Sequence, residues 1–457
     1  MSVDTVSLTG RGRTSPTTAL RFRPRSGAEA AAFVRGRGPR GALARGLGSA
    51  HGDAAQNAGG SVLDMTALRR IRSVDRDTGT VVCEAGVPLD RLAATMLPLG
   101  WYLPVTPGTP RATVGGAIAT DAHGRDHPAA GSFSRHVIAL ELLTADGTVR
   151  TLSPGEPLFD ATAGGLGLTG VVLSATVRCR RVGTSLMTVD TARAGGLDGA
   201  LALLERCAPA QYAAAWIDLT ATGRVLGRGL VRRGEHAPPT ALPARARRTP
   251  LDPGPGLPAT GTGLPLLPAV PAFAPRRLLA RTAVGLLNEV RHRAEPRSRS
   301  GGLQRLSAFF APLDGLPGGA TVPGRGATVR YRFALGHGQE ETLRQVVRRL
   351  ASRHCPASAG VLERLGAAGA GWLSFPLPGW SLSVELPARA PGLAGLLDAL
   401  DDEVAAAGGR VALCDDARVR PATLAAMYPR LAEFRALRAT QDPTGALCSD
   451  LSRRLGL

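Results

Sequence analysis

The sequence predicts an α+β protein in two parts, a glycine-looped N-terminal domain and a helix-backed sheet domain, and three observations carry that reading. The first 180 residues alternate short apolar runs with glycine turns, without a regular βαβ repeat. From Thr328 the order becomes strand VRYRFAL, helix QEETLRQVVRRLASRH, a strand around Val361, strand SLSVELP, helix LAGLLDALDDEVAAA closed by Gly408-Gly409, and strand RVALC. That is β-α-β-β-α-β, a split βαβ sheet with helices on one face. At 457 residues the chain is also too long for one ordinary core, so two or three packed units are expected.

The local elements follow from residue type. Val81 to Ala85 reads as a strand, and Pro88 opens a helix that runs through Leu97 to a stop at Gly100, because proline is tolerated where the helix starts. HVIALELLTADGTVRTL reads as a hairpin that turns at Asp146-Gly147. Between about His236 and Arg276 frequent proline forbids helix and sheet ladders alike, which predicts a mobile surface insertion.

Composition removes several function classes. The net charge of +19 comes from 55 basic residues that are all arginine, spread along the chain and accompanied by few aromatics. That distribution fits a GC-rich coding sequence better than a nucleic-acid-binding stripe. With no lysine, Schiff-base chemistry and a lysine general base are excluded. Cys83, Cys179, Cys207, Cys355, Cys414 and Cys448 lie far apart without CxxC spacing, so buried reduced thiols are expected and no metal. No run reaches the roughly 18 apolar residues of a membrane helix, and the opening residues lack an apolar signal core. The reading is cytoplasmic, with membrane contact at most peripheral.

Three glycine-rich loops carry the chemistry. ARGLGSAHGDAAQN, from Ala44 to Asn57, has Gly46, Gly48 and Gly52 placed so that the backbone turns sharply and successive amides aim at one anion. It opens no amphipathic helix, so the Rossmann fingerprint does not fit. The second loop, Pro107 to Phe133, pairs Gly115-Gly116 with His123-Gly124, and its small residues permit close approach of a flat or phosphorylated ligand. The third, AGGLGLTGVVLSATV, sets Gly164, Gly165, Gly167 and Gly170 before an apolar strand.

Those loops, together with LTGRGRTSP, VLDMTAL, LLTADG, LSFPLPGW, AAMYPR and SDLSRRL, resemble the vanillyl-alcohol-oxidase family of FAD-binding (PCMH-type) oxidoreductases, in particular its oxidases of lipid-linked ribose. The resemblance implies a two-part FAD-binding domain over 1–180, a substrate (cap) domain over 181–408, and a C-terminal segment, 409–457, that returns to the FAD domain. It implies FAD lined by Ala44, Arg45, Gly46, Leu47, Gly48, Ser49, Ala50, His51, Gly52, Asp53 and Ala54, by Gly108, by Thr113, Val114, Gly115 and Gly116, by Thr120, Asp121, Ala122 and His123, and by Val172. It also implies transfer of a hydride from a sugar carbon to the flavin while a base takes the hydroxyl proton, with His123 beside both. A small or lipid-linked sugar substrate and a partner reductase follow from the same source. The alternatives are a sugar-lactone or alditol oxidase of the same fold, and a flavin-binding accessory protein whose catalytic set has decayed.

The departures locate the rebuilt part. His51 stands where the family has tyrosine, and its displacement from the usual attachment point predicts non-covalent FAD. Arg125 replaces a lysine, and Phe310 an active-site tyrosine. In the substrate half, Asp415 and Glu363 stand where the family has lysines, and Ser381 and Ser383 where it has asparagine and cysteine. Arg330 and Arg332 replace two glutamines, and being two apart on one strand they point to the same face. The expectation is an anionic sugar gripped by these two arginines, with Asp415 beside His123 among the catalytic groups.

Overall fold

The computed structural model describes residues 3–108, 111–207, 210–244, 246–252, 281–310, 326–352, 355, 357–416 and 418–457. The N-terminal domain holds two sheets. In the first, the strand Thr17–Phe22 leads through the helix Gly27–Arg35 to Ala42–Arg45, and Ser61–Asp64 lies parallel between the two strands. Ser26 starts that helix by accepting a hydrogen bond from the Glu29 amide, which satisfies one of the otherwise orphaned first-turn donors. Ala30, Val34 and Leu63 pack with Leu143 and Leu173 and join this sheet to the second.

The second sheet is antiparallel, in the order Ile71–Asp75, Thr80–Glu84, Val171–Arg178, Val137–Leu143, Val149–Leu152. Its last two strands are the expected hairpin, turned by Gly147 at φ +84° while the Asp146 side chain accepts from the Thr148 amide. Pro88 caps the helix Leu89–Met96 rather than occupying its first turn, and the chain stops at Gly100, φ +83°.

The cap carries one eight-stranded sheet, and here the structure adds to the expectation. The predicted β-α-β-β-α-β unit is present as strand Thr328–Gly336, helix Glu340–Leu350, strands Ala359–Leu365 and Gly379–Pro387, helix Leu393–Ala406 and a short strand Arg410–Val411. A second unit of the same order precedes it: strand Leu186–Ala194, helix Leu197–Arg206, strands Tyr212–Asp218 and Gly229–His236, helix Arg281–Ala294 and strand Ser298–Arg305. The two units join edge to edge where Tyr212–Asp218 pairs antiparallel with Ala359–Leu365. In the first unit the helix Arg281–Ala294 is only lightly docked, burying Asn288 while Leu286 and Val290 stay exposed.

In the second unit Leu343, Val346, Val347 and Leu350 recur at helical spacing and pack with Leu397 and Leu400 on Tyr331, Phe333 and Leu335. Each fully buried leucine of this layer contributes roughly 1.5–3 kcal/mol. Anchoring the odd-numbered residues of Thr328–Gly336 fixes the even-numbered ones, Arg330, Arg332 and Ala334, on the opposite face. The tail comes back to the N-terminal domain: Ala42 bonds on both sides to Ala446 and Cys448, and Arg453 and Arg454 reach Asn57 and Asp53.

Of the expected mobile insertion, residues 253–276 lie outside the described residues. Its described beginning packs, with Ala237 and Leu242 buried against Leu186. The six cysteines are free thiols, but Cys414 and Cys448 are only half-buried, correcting the expectation that all are interior. Among the described residues no helix is long and apolar enough to cross a membrane.

Candidate active site

The first loop leaves the strand Ala42–Arg45 and is shaped by its own arginine. Arg45 folds back to donate to the carbonyls of Ala55 at 2.5 Å and Thr9 at 2.8 Å. Gly48 adopts φ +69°, and a Cβ there would stand 2.1 Å from that guanidinium. A Cβ on Gly46 would stand 2.3 Å from Thr113 Oγ1, so the first and second loops touch with no room for a side chain. The backbone amides of Leu47, Gly48, Ser49 and Ala50 donate to no described residue, whereas the next one, His51, donates to the Cys414 carbonyl at 2.9 Å. Four successive unused amides beside a glycine-made cleft are what a pyrophosphate needs. Ser49 Oγ donates to the Arg111 carbonyl, and Asp53 meets Arg454 at 3.0 Å, tying the loop to the tail. Ala54 is buried in the cap-side core, and Gly52 lies against Gly10.

The second loop enters the helix Val114–Ala119, where Thr113 accepts from the Gly116 amide at 3.2 Å and Thr120 Oγ1 donates to the Gly116 carbonyl at 2.9 Å. Gly115 abuts Ala85, whose Cβ would be 2.9 Å from a side chain there. Asp121, at φ +41°, points inward: its buried carboxylate accepts from the amide and hydroxyl of Ser134 and from the hydroxyl of Ser374 in the cap. It is therefore a clasp between domains. Ala122 holds the loop's far side by accepting from the Phe133 amide at 2.8 Å. The third loop supports the second from beneath, with the Gly164 and Leu166 amides donating to the carbonyls of Ile118 and Ala119. Val172 is buried in the strand Val171–Arg178, opposite Leu142. Gly108 faces open space at the edge of the described residues.

On the cap side, Arg332 Nη1 donates to His123 Nε2 at 3.3 Å, and Arg332 Nε lies 2.9 Å from Asp415 Oδ2. That second contact lacks hydrogen-bond alignment, so it is a Coulombic pair. Arg330 lies between Asp415 at 3.9 Å and Glu385 at 3.8 Å. Thr328 Oγ1 donates to Glu385 at 3.0 Å, which leaves it to accept from His51 Nε2, also at 3.0 Å. One polar chain thus runs from the first loop through Thr328, Glu385, Arg330, Asp415 and Arg332 to His123.

Electrostatics sort these groups. Burial, reinforced by Arg332, holds His123 well below the ordinary imidazole range, so it is neutral, and because Nε2 accepts from Arg332 its proton sits on Nδ1. Burial, then Arg330, lowers His51 to about 3. Burial pushes the Asp415 carboxyl up, but Arg332 and Arg330 overcome that and hold it below the usual range. Arg332 is raised: burial disfavours its charge and Asp415 more than offsets this. Glu363 is raised by burial, which Arg332 and Arg125 offset only in part.

The pairing register sets the floor of the site. Arg332 lies opposite Ser383, which lies opposite Val361; Ala334 lies opposite Ser381, which lies opposite Glu363. The sequence-predicted residues His123, Arg330, Arg332, Ser381, Ser383 and Asp415 therefore share one interdomain face. Phe310 stacks on Tyr102 with centroids 6.2 Å apart and closes one side of this face together with Tyr212. Sequence reasoning missed Phe375, which stacks on His123 at 5.3 Å, and Ser374, the cap partner of Asp121. Both belong to LSFPLPGW, whose lack of helical or strand period marks a loop held for packing against a site.

Residues 19–153 match the family model described as an FAD binding domain. The chain is 37% identical over 461 residues to the decaprenylphosphoryl-β-D-ribose oxidase of Mycolicibacterium smegmatis, covering 99% of this chain and 98% of that one. It is 55% identical over 374 residues to an uncharacterized protein in the mprA 5′ region of Streptomyces coelicolor, covering 81% of this chain and 100% of that one. An alditol oxidase of Streptomyces sp. is 32% identical over 206 residues, 44% of this chain and 47% of that enzyme.

Proposed function

Because the chain belongs to the FAD-dependent oxidoreductases that include decaprenylphosphoryl-β-D-ribose oxidase, we propose that it oxidises a secondary alcohol of a phosphorylated or lipid-linked sugar to a ketone. The observation that supports this most is the convergence of His123, from the second glycine loop, on Arg332 of the cap at 3.3 Å, with Arg332 in turn 2.9 Å from Asp415 of the C-terminal segment. The amides of Leu47 to Ala50, which donate to no described residue, and the close-packed glycines suit the pyrophosphate of FAD, held without a covalent link.

Bound FAD supplies the two-electron acceptor for a hydride from the carbinol carbon. The substrate hydroxyl takes the place of Arg332 Nη1 at His123 Nε2, the one lone pair that the neutral imidazole offers, and its proton passes there as the hydride leaves. The Asp415 carboxylate, kept ionised by Arg332 and Arg330, balances the imidazolium that forms. Arg330 and Arg332, already facing Asp415 and Glu385, orient hydroxyl groups with their remaining donors, and Ser381 and Ser383 line the floor beneath the sugar. Asp121 and Phe375 keep the imidazole at the domain junction.

Anaerobic mixing of the flavin-loaded protein with pentoses, polyols and their phosphates tests the reading. Bleaching of the flavin band by at least one sugar, slowed when deuterium replaces hydrogen at the reacting carbon, supports it. A flavin that no sugar reduces, while dithionite does, refutes it.

A further inference from the structure

Arg232 is a cation on the interdomain face that the proposed reaction does not use. It lies on the strand Gly229–His236, whose Val231 packs in the helix-side core while Leu230, on the other face, packs with Ala214 and Trp216. Alternation therefore puts Arg232 on the same face as Arg332 and Ser381. Register places it in the floor: Arg232 lies opposite Ala214, and one step past the last paired residues, Ala215 and Leu362, Ala214 comes beside Glu363 and then Ser381. At 4.7–4.9 Å per strand, Arg232 stands roughly 14 Å along the row from Ser381, with a small alanine between it and Glu363.

Its surroundings are unusual for a half-buried guanidinium. Among the described residues the side chain donates to the neutral amide oxygen of Gln304 at 2.5 Å and stacks on Phe309 at 5.6 Å from the ring centroid, and no carboxylate lies within ion-pair distance. Burial lowers its pKa, with Glu295 giving only a partial offset. Arg125 approaches the same ring, also at 5.6 Å, donates to the Phe309 carbonyl at 2.6 Å, and is pinned to the neighbouring strand through the Ala213 amide. A half-buried cation that meets no carboxylate among the described residues, at the end of the floor away from His123, suits an anion that arrives with the ligand.

We propose that Arg232, beside Arg125, binds the phosphoryl or carboxylate group of the sugar whose alcohol is presented to His123. The proposal rests on the alcohol-oxidising reading of the same site and adds where the negative charge sits. Guanidinium suits it because its planar fork meets two anion oxygens at once.

The test is calorimetric titration of flavin-loaded protein with D-ribose 5-phosphate, with D-ribose as the neutral control. The native protein binds the phosphate ester more tightly than ribose. Arg232→Gln loses about 10- to 100-fold for the ester and leaves ribose unchanged. Arg232→Lys keeps most of the preference and serves as the folded reference. Equal affinity for both sugars in the native protein, unchanged ester affinity in Arg232→Gln, or equal loss of both sugars overturns the proposal. Flavin bleaching in the same samples separates the two readings. Loss of the ester preference with no sugar reducing the flavin keeps the anion subsite and removes the oxidation. Bleaching with an unchanged ester preference does the reverse.

Discussion

Replacing Asp415 by Asn isolates the charge balance on which the site depends. The carboxylate is 5% exposed, 2.9 Å from Arg332 and 3.9 Å from Arg330. At an effective dielectric near 20, a unit pair at 4 Å interacts by about 4 kcal/mol before desolvation. Removing one member of a buried pair typically costs about 3–5 kcal/mol, because the other is left uncompensated. Arg332 and Arg330 keep 21% and 18% of their side chains accessible and so recover some hydration. The expected loss is therefore about 2–3 kcal/mol at pH 7. Its pH dependence has a fixed sign. The folded Asp415 carboxyl lies below its unfolded value, so the pair's stability is fully present above about pH 4 and lost as pH falls further. The gap between native protein and variant is thus full at neutral pH and narrows in acid. Urea unfolding of both proteins at pH 7, and at the lowest pH where both stay folded, reads it out. Adding Arg332→Gln should restore part of the loss, since the orphaned cation is gone. A variant within about 0.5 kcal/mol of native at pH 7, the scatter of ordinary surface changes, or a gap that persists undiminished in acid, would show that Asp415 does not hold the two arginines in balance.

Three further outcomes follow from the same geometry. His123→Ala should slow anaerobic flavin reduction by about 10² to 10⁴-fold while FAD content stays as in the native protein; parallel loss of both would make His123 structural. Acid precipitation should release the flavin, since His51 Nε2 is engaged by Thr328 and Nδ1 is sealed in the interior; colour retained in the pellet would show a covalent link. Arg330→Gln with Arg332→Gln should raise KM for neutral and anionic sugars by similar factors, because both guanidiniums already face Asp415; a rise confined to anionic sugars would place the anion there instead.

The sequence showed most clearly what local chemistry dictates. Glycine turns announced the cradle because Gly46 and Gly48 occupy places where any side chain would collide, and that demand is written in residue type. The second cap unit was legible because its two helices carry full apolar stripes. The first was not, since the proline-rich stretch from about His236 to Arg276 separates its third strand from its last helix, and that helix is tied down by the polar contacts of Arg281 and Asn288. Within the site, alternation correctly put Arg330 and Arg332 on one face with Tyr331 behind. The engagement of both by one acid from a turn some eighty positions on, and the approach of His123 from the other domain, are products of long-range packing with no local signature. Arg232 carried none: it is one of two adjacent arginines in GLVRRGEH, with no apolar alternation to mark which of them faces inward.

FAD is expected against the first two glycine loops, with its ring at the junction of His123 and Asp415. A crystal structure of the flavin-loaded protein tests it directly. The expected result is pyrophosphate oxygens within hydrogen-bond distance of the amides of Leu47 to Ala50, and the flavin ring facing His123 across from Arg332. A pyrophosphate bound elsewhere, or a ring directed away from the strand that bears Arg330 and Arg332, would contradict it.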